Sequence, residues 1–369
     1  MSKLDDLIRE FCPDGVEYRE LQTLAEIGTG NSDRKDSSED GAYPFYVRSK
    51  EILRINKWEY DEEAIVIPGE GGIGEIFHFV NGKYALHQRA YRIHIVESAL
   101  TTKFLYYYMF AHFRTFIMQK AVSATVTSIR KPMIEQFRVP VPPLEVQREI
   151  VQILDNFTEL IAELSTELTA RKKQYEYYRN ELLSFDTSVP RKMMAEVCKI
   201  SAGGDAPKDA MSKKMTDDYT IPIISNGIGE NAFYGYTNEP KITEPAVTVA
   251  ARGTIGYAEY RDYPYFPIIR LLSAIPKKKS ELNTRYLYYC LQGKEYNVPT
   301  SGIPQLTAPM LKKVEIPIPK IDVQNRIVSI LDYFDALCTD LSSGLPAEIS
   351  TRQKQYEYYR DKLLTVKEA

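Results

Sequence analysis

Cysteine is scarce and scattered in this chain of 369 residues. Cys12, Cys198, Cys290 and Cys338 form no Cys-x-x-Cys pair, which argues against a disulfide framework and against a zinc site. Histidine occurs four times, and His78, His87, His94 and His112 lack the spacing of metal ligands. No apolar run is long enough to span a bilayer, and the opening Met-Ser-Lys-Leu-Asp-Asp has no apolar signal core. These absences lead us to expect a reduced, cytoplasmic protein without a membrane partner. Catalytic signatures are missing as well: there is no Walker A lysine loop, no His-Glu-x-x-His helix and no Gly-x-Ser-x-Gly elbow. Nor is there an Asn-Pro-Pro-Tyr-like tetrad of the kind amino-methyltransferases place around a flipped adenine. The expectation is therefore a chain with no catalytic residue and no metal site.

Excess charge of one sign is also lacking. The formal net charge is −3, with 23 basic and 28 acidic groups in residues 1–185 and 24 and 22 in residues 186–369. A free-standing DNA binder usually carries a stronger basic excess. Any DNA affinity must then come from local patches, such as Arg171-Lys172-Lys173 or Lys277-Lys278-Lys279, or from a partner.

What the chain does have is a duplication. Gln-Tyr-Glu-Tyr-Tyr-Arg stands at 174–179 and again at 355–360. Val139-Pro140-Val141-Pro142, Val146-Gln147 and Ile153-Leu154-Asp155 recur 177 positions later as Ile316-Pro317-Ile318-Pro319, Val323-Gln324 and Ile330-Leu331-Asp332. Residues 64–74 match 246–256, with Gly71, Ile73 and Gly74 returning as Gly253, Ile255 and Gly256. Copies of this length are too long for a solenoid repeat and read as a tandem domain-plus-helix unit.

Each copy ends in a helical seam. Apolar residues at Leu154, Phe157, Ile161, Leu164 and Leu168, then Tyr175, Tyr178 and Leu182, alternate four and three apart as in a coiled coil. The second seam runs Ile327, Leu331, Phe334, Cys338, Leu341 and Leu345, then Arg352, Tyr356, Tyr359 and Leu363. It holds four extra residues around Ser343-Gly344-Leu345-Pro346, where the helix is expected to stop and restart with Pro346 in its first turn. A helix from about 145 to 183 would be about 58 Å long at 1.5 Å per residue. The economical arrangement pairs the two helices antiparallel, with internal pseudo-twofold symmetry and the C-terminus returned near the N-terminus. We expect a first domain at 1–143, a central spacer helix at 144–185, a second domain at 186–320 and a C-terminal spacer helix at 321–366.

The domains read as mixed α/β. Short apolar runs at 64–67, 221–224 and 246–249 are bounded by Gly, Pro and Asn, and Leu- and Tyr-rich helices follow at 102–119 and 284–292. Gly69-Glu70-Gly71-Gly72-Ile73-Gly74 fits the dinucleotide pattern Gly-x-Gly-x-x-Gly. That pattern needs a helix to open next, whereas residues 75–84 alternate like a strand. A glycine-rich hairpin turn is the better account.

Two tandem domains, each followed by a helix ending in Gln-Tyr-Glu-Tyr-Tyr-Arg-x-x-Leu-Leu, resemble the specificity subunit of a type I restriction-modification system. Further marks of the resemblance are the run Pro-x-Pro followed by glutamine at 140–147 and 317–324, and Gly344-Leu345-Pro346-Ala347-Glu348-Ile349 leading to Arg352. The first helix departs from it, with Ser165-Thr166-Glu167-Leu168-Thr169-Ala170 in place of that segment. The resemblance implies two target recognition domains that read the halves of a bipartite double-stranded DNA site. It implies helices that set the spacer and dock two modification subunits, which bring S-adenosylmethionine and methylate adenine; this chain itself would bind no cofactor. Restriction subunits would complete an endonuclease. Two other readings stay open: a two-headed coiled-coil adaptor without DNA recognition, and a stand-alone DNA methyltransferase.

Residues able to contact bases are polar or basic side chains on loops near strand ends. In the first domain we select Arg48, Ser49, Lys50, Gln88, Arg89, Thr127 and Arg130. In the second we select Ser225, Asn226, Arg252, Arg270, Ser301, Gln305 and Thr307. Contact with phosphate is at least as common a role for such residues as base reading.

Overall fold

The computed structural model describes residues 3–120, 128–299 and 303–369. The chain divides into two compact units: Met1–Ser165 with Glu348–Ala369, and Thr166–Ala347. The first unit therefore takes in the last stretch of the chain.

In the first unit a six-stranded sheet has the order Ala25–Thr29, Ala90–Ile95, Tyr60–Pro68, His78–Leu86, Tyr43–Tyr46 and Ile52–Ile55. All neighbours are antiparallel except Tyr43–Tyr46, which runs parallel to His78–Leu86 with Phe45 opposite Ala85. The run Ala64 to Ile67 is apolar without alternation because both of its faces are covered. Ile65 and Ile67 pack towards Phe104, Leu105 and Phe113 of the helix Thr102–Lys120, while Ala64 and Val66 pack with Tyr84. Strand leads through turn to strand across Gly69 to Phe77, so the glycine-rich motif is a hairpin connection and no helix opens there.

The second unit repeats this path. One sheet has the order Cys198–Ala202, Leu272–Pro276, Ala246–Val249 and Ala258–Arg261. A second sheet holds Met211–Ser212, Phe233–Thr237, Ile221–Ile224 and Phe266–Pro267, the last two parallel with Ile223 opposite Phe266. The strand that is continuous at His78–Leu86 is split here into Ala258–Arg261 and Phe266–Pro267, and Pro264 between them has no ladder donor. The recurring Ile-Gly pair has a packing reason. Gly74 and Gly256 both lie at positive φ, 70° and 88°. A Cβ would meet the Arg114 side chain at 2.7 Å in the first case and the Tyr296 ring at 2.9 Å in the second.

The most specific repeated residue, the glutamine after Pro-x-Pro, is fully buried in both copies. Gln147 Nε2 donates to the carbonyls of Pro142 and Ala99, both at 2.7 Å, and its Oε1 accepts from Thr101 N at 2.9 Å. Gln324 Nε2 donates to Pro319 O and Glu281 O, at 2.8 and 2.9 Å, and its Oε1 accepts from Asn283 N at 2.9 Å. One amide thus ties the start of each long helix to the start of the Leu- and Tyr-rich helix of the same domain. About two turns further along each long helix, the Tyr107 hydroxyl donates to Asp155 and the Tyr289 hydroxyl to Asp332, the aspartates of the repeated Ile-Leu-Asp.

Leu144–Leu183 is one uninterrupted helix of 40 residues. Its counterpart is two helices, Ile321–Thr339 and Leu345–Leu364, with Pro346 second in the later one. Asp340 ends the former: its carboxylate accepts from Ser342 N at 2.7 Å and its carbonyl from Gly344 N at 3.1 Å. A Cβ on Gly344 would lie 2.6 Å from Ala336 O, so the turn closes only around glycine. Leu341 is corrected by this break, since it lies beyond the helix end, is 82% exposed and takes no part in a seam.

The rest of the second seam packs within the units. In the second unit Tyr178 stacks on Phe334 at 5.6 Å, Tyr175 lies beside Asp335 and Lys172 beside Cys338. These pairings run in opposite senses along the two segments, which are therefore antiparallel. In the first unit Phe157 stacks on Tyr359 at 5.5 Å, the equivalent pair by repeat position, and Leu154, Tyr356 and Leu364 are buried. Tyr175 and Tyr356 are the buried tyrosines of the repeated hexapeptide, whereas Tyr178 and Tyr359 keep one side in water. The C-terminal tail does return to the N-terminal region: Ala369 N donates to Val16 O at 3.1 Å and the Tyr18 hydroxyl to Val366 O at 2.8 Å.

Removing the Gln147 amide would strand a buried amide N–H and two carbonyls. Gln147→Met, which keeps the volume, should therefore lower unfolding stability by about 3 kcal/mol. Urea unfolding of the wild type and variant checks this; an unchanged midpoint would show that the amide is not a clamp.

Candidate nucleic-acid interface

A shared set of backbone hydrogen bonds frames one loop cluster in each domain. In the first, His87 N donates to Tyr46 O at 2.9 Å, Gln88 N to Ser32 O at 3.0 Å, and Ile129 N to Gly69 O at 2.9 Å. In the second, Ile268 N donates to Ile224 O, Ile269 N to Gly204 O and Leu306 N to Ala251 O, each at 2.9 Å. Superposing these bonds by role pairs Arg48 with Asn226, Glu70 with Arg252, Gln88 with Ile269 and Arg89 with Arg270. It also pairs Ser128 with Gln305 and Arg130 with Thr307. Of the selected residues, Arg48 and Asn226, Arg89 and Arg270, and Arg130 and Thr307 fall on the same positions of this framework.

In the first domain the cluster centres on Glu70, which sequence reasoning missed. Its carboxylate accepts from Arg48 Nη1 at 2.8 Å and from Arg89 Nη1 at 3.1 Å. The hydrogen bond from Arg89, with help from Arg48, holds the Glu70 carboxyl below its ordinary range. Arg48, Ser49, Glu70, Gly71, His87 and Arg34 line a shallow cavity of about 280 Å³. His87 is buried, its Nδ1 accepts from Arg89 N at 3.0 Å, and burial pushes its pKa down, so the ring is a neutral support for the loop. Gln88 Nε2 donates to Asp33 at 3.0 Å. Ser49 O accepts from His78 Nε2 at 3.1 Å, and Lys50 is exposed. Arg130 is exposed and precedes the helix Lys131–Glu135, while Thr127 lies outside the described residues. The clustering of Arg48 and Arg89 around an acid escapes the sequence, because 22 and 19 residues separate them from Glu70.

The second cluster is organised by Asn226. Its Oδ1 accepts from Ala251 N at 2.8 Å, its Nδ2 donates to Ile269 O at 2.6 Å, and its carbonyl accepts from Thr254 Oγ1 at 2.8 Å. Beside it Arg252 donates to Gln305 Oε1 through Nε and Nη2, at 3.2 and 2.8 Å. Arg270 is exposed, and both Ile269 and Arg270 adopt left-handed backbone, φ 53° and 63°. A β-branched residue there is strained by about 1–3 kcal/mol and stays only where its surroundings fix it. Ser225 is turned to the backbone, both its N and its Oγ donating to Ala232 O. Thr307 precedes the helix Ala308–Lys312, and Ser301 lies outside the described residues. Among the described residues no group of three His, Cys, Asp or Glu could hold a metal ion. No helix among them is long and apolar enough to cross a membrane.

Fold and site together define a tandem recognition protein: one framework used twice, with unlike side chains on the same loops. Residues 13–171 and 191–351 each match the family described as the type I restriction modification DNA specificity domain. A Mycoplasma pneumoniae protein assigned as a type I specificity subunit is 32% identical over 84% of this chain and 95% of its own length. A Haemophilus influenzae protein assigned as a type I restriction enzyme specificity subunit is 30% identical over 95% of each chain. The fold is shared with the S subunit of a Mycoplasma genitalium type I restriction-modification system, at TM-score 0.62 and 16% identity, covering 95% of this chain and 97% of the other. The chain belongs to the family of type I restriction-modification DNA specificity subunits.

Glu70 occupies the two arginines that the first cluster could offer to DNA. Glu70→Gln should raise affinity for non-cognate duplex and steepen the plot of log affinity against log salt by about 1 to 2. A salt titration monitored by fluorescence anisotropy checks this, with Glu163→Gln as the charge-matched control. Equal slopes for the two variants would mean that the arginines were never restrained.

Proposed function

We propose that this chain is the DNA-reading, non-catalytic subunit of a type I modification complex, each domain reading one half of a bipartite double-stranded site. The observation that carries this reading is the common backbone framework with different side chains at equivalent positions. Where the first domain holds an arginine–glutamate–arginine cluster, the second holds Asn226, Arg252 and Gln305. Arginine, asparagine and glutamine are the side chains that make bidentate contacts to guanine and adenine edges. Two modification subunits would dock on the helices and supply S-adenosylmethionine and adenine methylation, this chain binding no cofactor itself. Restriction subunits would convert the same assembly into an endonuclease. A cytoplasmic location follows from such partners.

Methylome sequencing of cells expressing the chain with its modification subunit would define the target. Replacing Arg252 or Gln305 by alanine should then relax recognition in one half-site and leave the other intact. Uniform loss of methylation at every site would remove both residues from base reading.

Helix length is the proposed ruler. Four added residues lengthen a helix by about 6 Å, close to two base-pair steps of roughly 3.4 Å each. Inserting four residues after Leu168 should lengthen the preferred spacer between half-sites. An unaltered methylation motif would argue that the helix does not measure DNA.

A further inference from the structure

Ile269 is a half-exposed apolar residue at the edge of the second cluster, where it also lines a shallow cavity with Pro207, Ala210 and Tyr234. Its side chain belongs to a residue 47% exposed, although isoleucine is ordinarily buried and its backbone is in the left-handed region that β-branched residues avoid. Three bonds fix it there. Ile269 N donates to Gly204 O at 2.9 Å, Arg270 N to Gly203 O at 3.1 Å, and Asn226 Nδ2 to Ile269 O at 2.6 Å. The same Asn226 organises the loop carrying Arg252. The equivalent position in the first domain is Gln88, a polar side chain bonded to Asp33.

An exposed aliphatic group beside guanidinium and carboxamide groups has one natural counterpart in the major groove. The thymine C5-methyl is the apolar mark that distinguishes an A·T pair there, and apolar side chains read it by contact. Resting on the DNA-reading role proposed above, we infer that Ile269 is a specificity-determining residue that contacts a thymine methyl in the half-site read by the second domain. Backbone strain fits this role, because a strained β-branched residue persists only where its surroundings fix it. Burial of a methyl group against the isoleucine predicts a gain of about fourfold in affinity.

The test uses the full chain with its modification subunits and a duplex carrying the site found by methylome sequencing. Each thymine of the second half-site is replaced in turn by deoxyuridine, which removes only the methyl. One such replacement should weaken wild-type binding about fourfold or more. Ile269→Gly, which relieves the strained backbone and removes the side chain, should bind both duplexes equally, and Ile269→Val should keep the discrimination. The inference is overturned if no thymine responds in the wild type, if the half-site holds no thymine, or if I269G still distinguishes the duplexes. Thermal melting of I269G confirms that the loop change leaves the fold in place. Absence of any sequence-specific methylation would instead defeat the proposed function, an outcome separate from specific methylation that ignores the thymine methyl.

Discussion

The buried amide of Gln147, and of Gln324 in the repeat, is the contact on which each unit depends. A glutamine with no exposed surface is tolerable only when both ends of its amide are bonded, and here both are. Its partners are the chain just before the long helix and the backbone at the start of the helix that backs the sheet. The launch of the long helix is thereby fixed to the sheet, and the loops framed by that sheet are fixed to both. The Tyr107–Asp155 and Tyr289–Asp332 bonds add a second point of attachment in each unit. Between these two points Ile150 and Leu154, and Ile327 and Leu331 in the repeat, are buried in the core of their unit, so a whole face of the helix sets its direction.

That rigidity leaves the loops of the two clusters free to differ. Main-chain bonds, such as Ile129 N to Gly69 O and Leu306 N to Ala251 O, frame them in both units, and the Asn226 carboxamide adds two ties in the second. Glu70 can therefore stand where the repeat has Arg252, and Gln88 where it has Ile269, within the same set of main-chain bonds. A framework of main-chain bonds carrying interchangeable loop side chains is how a rigid scaffold supports varied binding.

Much of this was legible in the sequence because it rests on local pattern. The duplication, the buried strand at 64–67, the glycine hairpin and the broken second helix all follow from period, proline and glycine. Leu341 was misjudged because a heptad count takes a helix to be continuous, while Asp340 and Gly344 close a turn that ejects it. The selected site residues came from composition, and the framework shows Arg48 and Arg89 joined, Asn226, Arg252 and Gln305 adjacent, and Ser225 spent on its own backbone. Glu70 and Ile269 were passed over, since an acid looks unsuited to DNA and an isoleucine looks like core. Their meaning arises only from neighbours distant in sequence.

The modest charge of the chain is consistent with the same logic. Phosphate attraction supplies most non-specific affinity and carries no sequence information. On the DNA-reading role proposed above, a random duplex would have to displace Glu70 from Arg48 and Arg89 before gaining their charge. A base edge that offers two acceptors in the right geometry can replace the carboxylate, whereas a lone phosphate replaces only its charge. Restraining the cations in this way would lower affinity for all DNA and raise the ratio between cognate and random sites. For a subunit whose proposed role is to choose a sequence, that ratio matters more than tight binding.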